Sequence, residues 1–198
     1  MARTRATDFA DKQRAILASA AAVFAEAGMD KASMAQVAAQ AQVSKALLYH
    51  YYPGKDALIF DIVHSHLQRL EEAVFEADAP ALKPRARLRQ MVGAVLETYR
   101  DADDAHKVQL NGTPGLPEAE RAELHAIERR IVRRFAAVLC QVNPALDGPR
   151  ALLMPVTMSL FGMLNWVYLW FREGGAISRD EYAELATRLM LNGVEGLR

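Results

Sequence analysis

"SKALLYHYYPGKDAL", residues 44–58, decides the fold. Four ring residues, Tyr49, His50, Tyr51 and Tyr52, stand in a row behind two leucines. An α-helix turns once every 3.6 residues, so four consecutive rings point in every direction, and some of them face away from the core. On a short helix capped by Ser44, Val43, Leu47, Leu48, Tyr51 and Tyr52 turn inward. Ser44, Lys45, Ala46, Tyr49 and His50 are left on the exposed side. Pro53-Gly54 then ends the helix, because proline has no N–H for the ladder and glycine tolerates the turn.

The flanking sequence supplies partners for the inward side. Upstream, "DKQRAILASAAAVFAEAGMD" (11–30) repeats Ile16, Ala20, Val23, Phe24 and Ala27 at helical spacing, with Gly28 as its stop. Ser33 opens "SMAQVAAQA", and Gln36 three residues on completes a capping box. Downstream, Lys55 to about Asp78 reads as one long helix with Leu58, Ile62, His66, Leu70, Val74 and Phe75 along a face. Two short helices joined by a tight turn and packed on a first helix form a helix-turn-helix unit.

Helix signals continue to the end of the chain and strand signals are nearly absent. Pro80 and Pro84 bracket a linker before a helix at 85–99. Residues 101–117 are irregular around one short helix, and 118–142 is long and charged. The apolar stretch 150–172 follows, and Ser178 with Glu181 caps a last helix. The expected fold is therefore all-α with about nine helices. Residues 1–56 form a helix-turn-helix domain and residues 57–198 a second helical bundle.

Bulk composition is that of a globular chain: 198 residues, 52% hydrophobic, 24% charged and zero formal net charge. Residues 1–56 hold seven Lys/Arg against five Asp/Glu and the remainder 17 against 19, a weak positive bias toward the front. The single cysteine, Cys140, excludes an internal disulfide and fits a reducing, cytoplasmic setting. Arg3 and Arg5 lead into polar residues, so no export signal is expected.

The exposed side of the 44–52 helix has the chemistry of a DNA reader. Lys45 can donate to guanine O6 and N7, and the Ala46 methyl can meet a thymine methyl. Tyr49 and His50 can hydrogen-bond phosphate, and Lys55 offers a second cation for the backbone. With Arg3, Arg5, Ser33 and Ser44 these residues make up the candidate DNA face.

Residues 11–60 resemble the N-terminal domain of the TetR family of bacterial transcriptional regulators. The resemblance is carried by "SMAQVAAQAQVSKALLYHYYPGKDAL", most specifically by LYHYY-x-x-K-x-x-L. It implies a homodimer that places one recognition helix per subunit in successive major grooves of a palindromic operator, usually as a repressor released by a small ligand. Leu47 stands where many members carry a phosphate-touching threonine or serine. "KALLYHYYPGKDALIFDIVHSHLQRLEE" resembles the regulators of phenylacetic acid degradation, which respond to phenylacetyl-CoA. "GMLNWVYLWFREGGAISRDEYAELATRLMLNGV" is similar to members that govern fatty-acid or steroid catabolism through acyl-CoA ligands.

The larger half carries the ligand expectation. "ALLMPVTMSLFGMLNWVYLWF", 151–171, has the length of a bilayer span but is interrupted by Pro155, Thr157, Ser159, Gly162 and Asn165. A bundle helix buried on both sides is the reading adopted, with no membrane. At 100° per residue Met154, Thr157, Met158, Phe161, Leu164, Asn165 and Tyr168 share one face. Ser159, Gly162, Met163, Trp166 and Trp170 share the other. The first face, with Met91, Val95 and Tyr99, is the candidate ligand wall, although plain core is the competing reading. On 118–142 the buried stripe is Leu124, Ile127, Ile131, Phe135 and Val138. Arg130 and Arg134 flank it as a candidate basic entrance for an anionic ligand.

Enzyme readings find little. His64 and His66 are two apart on a helix and do not share a face, so they make a poor metal pair. G-x-S-x-G, H-E-x-x-H and glycine-rich phosphate loops are absent from the sequence. No enzyme activity, metal or cofactor is expected. A helical interaction protein without DNA affinity is the alternative class.

Overall fold

A computed structural model describes residues 2–197, with side chains described from Asp11 onward. The helices are α1 (Ala2–Ala27), α2 (Met34–Gln40), α3 (Lys45–Tyr51), α4 (Lys55–Ala77), α5 (Pro84–Thr98), α6 (Asp103–Gly112), α7 (Glu118–Val142), α8 (Leu153–Asn165), α9 (Val167–Trp170) and α10 (Arg179–Glu195). Short 3₁₀ turns lie at Thr113–Gly115 and Pro144–Asp147, and no strand occurs among the described residues. α8 and α9 are two pieces of the one apolar stretch, parted at Trp166, so the nine expected helices are all present.

The chain divides into two compact units, Met1–Leu67 with Asp101–Leu124, and Gln68–Arg100 with His125–Arg198. The cut falls inside α4 and α7, each of which supplies turns to both units. It differs from the functional boundary expected at 56/57.

In the first unit α1 packs on α2 and α6, and α2 packs on α3. The core is Ile16, Ala20, Ala21 and Phe24 from α1, Val37 and Ala38 from α2, Leu48 from α3 and Leu58, Ile62, Val63 and Leu67 from α4. Val23 and Ala27, expected inside, are half-buried. The Ser33–Gln36 capping box forms as read: the Ser33 N–H donates to Gln36 Oε1 at 2.8 Å and the Gln36 N–H to Ser33 Oγ at 3.3 Å. Removing such a cap costs about 1 kcal/mol.

The turn from α2 to α3 is a Schellman motif. The Gln42 N–H reaches the Ala39 carbonyl and the Val43 N–H the Ala38 carbonyl, and Gln42 takes φ 54°. That left-handed position is usually glycine, and a glutamine there is held by the surrounding packing. His66, read as a core histidine, is fully buried beside the buried His106, ring centroids 6.0 Å apart.

In the second unit α5 lies along α10 and both touch α8. Leu88, Met91, Val92, Val95 and Leu96 of α5 are buried, with Ala183, Ala186, Thr187, Met190, Leu191 and Val194 of α10. α7 delivers Ile127, Ile131, Phe135 and Val138 to the core as the stripe predicts, and Phe135 meets Phe161 edge-on at 5.0 Å. The Asn143 side-chain amide donates to the carbonyls of Val194 (2.8 Å) and Leu197 (3.0 Å), fixing the end of α10.

The inward face of α8 is Thr157, Leu160, Phe161 and Leu164, so the expected wheel was rotated. Met154 and Met158 project outward, the latter 51% exposed in the single chain. The cause is compositional: a helix apolar all round has no polar face to fix its phase. The stretch 153–170 has the length and composition of a membrane span, yet regular helix breaks within it at Trp166.

Candidate DNA interface and ligand site

The α3 surface is set by its two ends. Ser44 Oγ accepts the Leu47 N–H at 3.1 Å, starting the helix, and the Tyr52 N–H closes it on the Leu48 carbonyl. The four rings separate as the helical geometry requires. Tyr52 is buried and Tyr51 half-buried, whereas Tyr49 is 53% exposed and His50 is exposed beside it. Lys45 and Ala46 are exposed on the same short helix, as are Ser44 and, at the start of α2, Ser33. Tyr52 Oη accepts from Gln13 Nε2 at 3.0 Å, and Gln13 also reaches Asp61 at 3.4 Å, joining α1, α3 and α4. Burial, above all, holds the Tyr52 hydroxyl proton far above its ordinary range. Leu47 is half-buried and carries no polar atom for a phosphate. Arg3 and Arg5 lie outside the described side chains.

Lys55 behaves differently from the sequence expectation. Its Nζ donates to the Met29 carbonyl at 2.8 Å and approaches the Asp30 carbonyl at 3.4 Å. Its charge is therefore turned to the chain's own α1–α2 turn. Nothing in the local sequence signals this, because the acceptors are backbone atoms 26 and 25 residues upstream.

The candidate ligand wall is only partly assembled. Met91 and Val95 are fully buried, Phe161 nearly so, and the Tyr99 hydroxyl donates to Asn165 Oδ1 at 2.9 Å. Burial, with a smaller contribution from the Glu128 charge, pushes the Tyr99 hydroxyl well above its ordinary pKa. Tyr168 is half-buried and stacks on Trp166, centroids 6.2 Å apart, and Met158 faces outward. Tyr99 and Phe161 are thus buried, the half-buried Asn165 accepts the Tyr99 hydroxyl, and Met158 leaves the set.

The two candidate arginines already hold carboxylates. Arg130 makes a fork on Glu71, at 2.5 and 2.9 Å, and that hydrogen bond raises its pKa further. Arg134 Nε pairs with Asp78 while its guanidinium lies 5.1 Å over the Phe75 ring. Asp78 is fully buried and also accepts from Arg87 Nε at 2.7 Å, and Arg87 in turn donates to Gln141. Arg130 is half-exposed, so it can reach a phosphate, but Glu71 is only 17% exposed, and giving up the fork leaves that carboxylate without its cation. Taking Arg134 from Asp78 removes one of the two cations around a buried anion, which is costly. Arg134 therefore drops from the entrance and Arg130 stays.

A groove of about 380 Å³ lies between α8 and α10. Val156, Met163, Leu189, Met190, Val194 and Leu197 line it, with Ser159 and Gly193. From α8 to α10 the chain exposes Met154, Met158, Trp166, Leu169, Trp170, Leu185 and Leu189. Val194 is buried in the unit's own core. Among the described residues no group of three or more His, Cys, Asp or Glu side chains is arranged to hold a metal.

An all-helical chain with a helix-turn-helix unit and a separate apolar helical unit has the build of a DNA-binding regulator. Residues 16–62 match the bacterial regulatory proteins of the tetR family, and residues 81–194 match the tetracyclin repressor-like C-terminal domain. The transcriptional regulator RutR of Escherichia coli K12 is 30% identical over 192 residues, covering 92% of this chain and 90% of that one. A TetR-family regulator from Bordetella parapertussis superposes with a TM-score of 0.85 at 33% identity, over 94% of this chain and 97% of that one. AibR, solved with isovaleryl coenzyme A and operator DNA, shares the fold at a TM-score of 0.77 and 24% identity, over 90% of this chain and 97% of that one. The chain belongs to the TetR family of transcriptional regulators.

Proposed function

We propose that this regulator is a homodimeric, cytoplasmic repressor that reads a palindromic operator through α3 and is released by an acyl-CoA, phenylacetyl-CoA in the first instance. Residues 1–56 bind DNA and residues 57–198 carry the ligand and the dimer contact. The observation that carries the DNA half is the outward set Ser44, Lys45, Ala46, Tyr49 and His50, presented on a helix whose other side is locked by Leu48 and Tyr52. Lys45 and Ala46 reach base edges, and Tyr49 and His50 reach the backbone. Ser33, Arg3 and Arg5 are further backbone contacts.

The dimer half rests on the apolar residues that α8, α9 and α10 expose. Seven large apolar side chains open to water from α8 to α10 are unusual for a monomer and suit a partner copy. The ligand half rests on the family, on the sequence likeness to phenylacetic acid regulators, and on the part-buried Tyr99–Asn165 hydrogen bond as a polar handle among apolar side chains. Met91, Val95, Phe161 and Tyr168 form its wall, and Arg130 meets the CoA phosphates by exchanging Glu71. The fold shared with AibR, whose solved complex holds an acyl-CoA and DNA, is compatible with this class. A member sensing a fatty-acyl or steroid CoA is the alternative supported by the C-terminal likeness. Release requires that the ligand bind more tightly to a subunit arrangement that no longer fits successive grooves.

Lys45→Ala tests the DNA half. It is expected to relax base preference at one position per half-site, at about 1–3 kcal/mol of discrimination. Equal losses on operator and random duplex would reduce Lys45 to a phosphate contact.

A further inference from the structure

The DNA-reading hairpin α2–α3 hangs between two ends. Its first end is the turn after α1, where Gly28 takes φ 81° and the Ala32 N–H bonds the Gly28 carbonyl. Its second end is Lys55, the first residue of α4, directly after Pro53-Gly54. The Lys55 ammonium spans the two ends through the Met29 and Asp30 carbonyls, at 2.8 and 3.4 Å. The chain from Met29 to Lys55 is thereby closed into a ring that contains both helices of the reading unit. Closing a loop of this size at its neck removes conformational freedom from everything inside it.

Other features agree with a built joint. An ammonium in the first turn of a helix is disfavoured by that helix's dipole, yet here it also faces the carbonyl-rich region following the C-terminus of α1, where a cation is favoured. The same turn is held from a second side. A Cβ at Gly112, the last residue of α6, would lie 3.2 Å from Met29 Sδ and 2.9 Å from Ile59 Cγ2, so α6 approaches the turn as closely as a glycine permits. Lys55 is half-buried, which fits a side chain sealed against a turn.

We infer that Lys55 is a positioning residue for operator recognition: its ammonium pins the α1–α2 turn to α4 and so sets the angle at which α3 meets DNA. This rests on the DNA-binding reading above and replaces the phosphate contact that the sequence suggested for Lys55. Loss of a phosphate contact lowers the slope of log K against log salt by about 0.9. Loss of a joint lowers affinity at every salt concentration and leaves the slope alone.

The test uses the full-length protein, wild type and with Lys55→Met or Lys55→Arg, on a duplex from its own upstream DNA. Lys55→Met is expected to weaken binding about tenfold, a change of about 1.4 kcal/mol, with an unchanged salt slope. Lys55→Arg, whose fork can still reach two carbonyls, is expected to recover most of that loss. A second measurement needs no DNA: trypsin should cut after Lys31, in the pinned turn, several-fold faster in Lys55→Met than in wild type. A slope lower by about one unit, unchanged affinity, or unchanged cleavage after Lys31 would each overturn the inference. If the wild type itself shows no preference for any duplex, the DNA reading fails, and the cleavage comparison still decides whether Lys55 pins the turn.

Discussion

Asp78 shows what a single residue decides here. It is fully buried between Arg87 and Arg134, so Asp78→Ala leaves two guanidiniums facing each other without their anion. Because Arg134 is 43% exposed, part of that cost is screened, and a loss of about 2–3 kcal/mol in denaturant unfolding is expected. A loss under about 0.5 kcal/mol would mean the cluster contributes nothing net. The buried hydroxyls of Tyr52 and Tyr99 make a second residue-level prediction. Their folded pKa values lie above the ordinary 10.0, so both stay neutral in the fold while the unfolded chain ionises. Their contribution is whole below pH 10 and is lost as pH rises beyond it. Stability should fall above about pH 10, and Tyr99→Phe should flatten that fall. These couplings are where sequence reading ended. Lys55, Arg130 and Arg134 each looked like a free cation, because a sequence does not show that Met29, Glu71 and Asp78 come to meet them.

At the scale of elements most of the fold was legible, for local reasons. Two capping boxes, at Ser33–Gln36 and Ser178–Glu181, fix helix starts through bonds three residues apart. The α7 stripe has polar residues opposite it, so its phase was readable, whereas α8 has almost none and its phase was not. The α2–α3 turn was read as a break, but its left-handed residue was not found, because Gln42 is not a turn former. Gln42→Gly should therefore stabilise the protein by about 0.5–1 kcal/mol, the relief at a positive φ being partly offset by a freer unfolded chain. A destabilised Gln42→Gly protein would show that the glutamine side chain has a role of its own. Gly112→Ala should do the opposite, since its Cβ must push Met29 or Ile59 away. It is expected to lower the melting temperature by a few degrees, and an unchanged value would mean that the contact yields freely.

At the scale of the whole molecule, reading a palindromic operator takes two copies, because one α3 reads one half-site only. Leu189 is 59% exposed and lines the α8–α10 groove, and Trp170, 48% exposed, meets Tyr182 of α10 edge-on at 4.9 Å. A charge at either position should split the dimer: Leu189→Glu or Trp170→Glu is expected to sediment as a monomer and to lose operator affinity. Dimers in both variants would place the subunit contact elsewhere. The most direct measurement of the central claim is footprinting of the protein on its own upstream DNA, with phenylacetyl-CoA or free phenylacetate added. The account predicts two protected half-sites centred about one helical turn, or a multiple of it, apart. Protection should vanish with micromolar phenylacetyl-CoA and persist with phenylacetate. Protection that no acyl-CoA relieves would remove the ligand and keep the DNA reading, whereas no sequence-specific protection at any salt concentration would contradict the account itself.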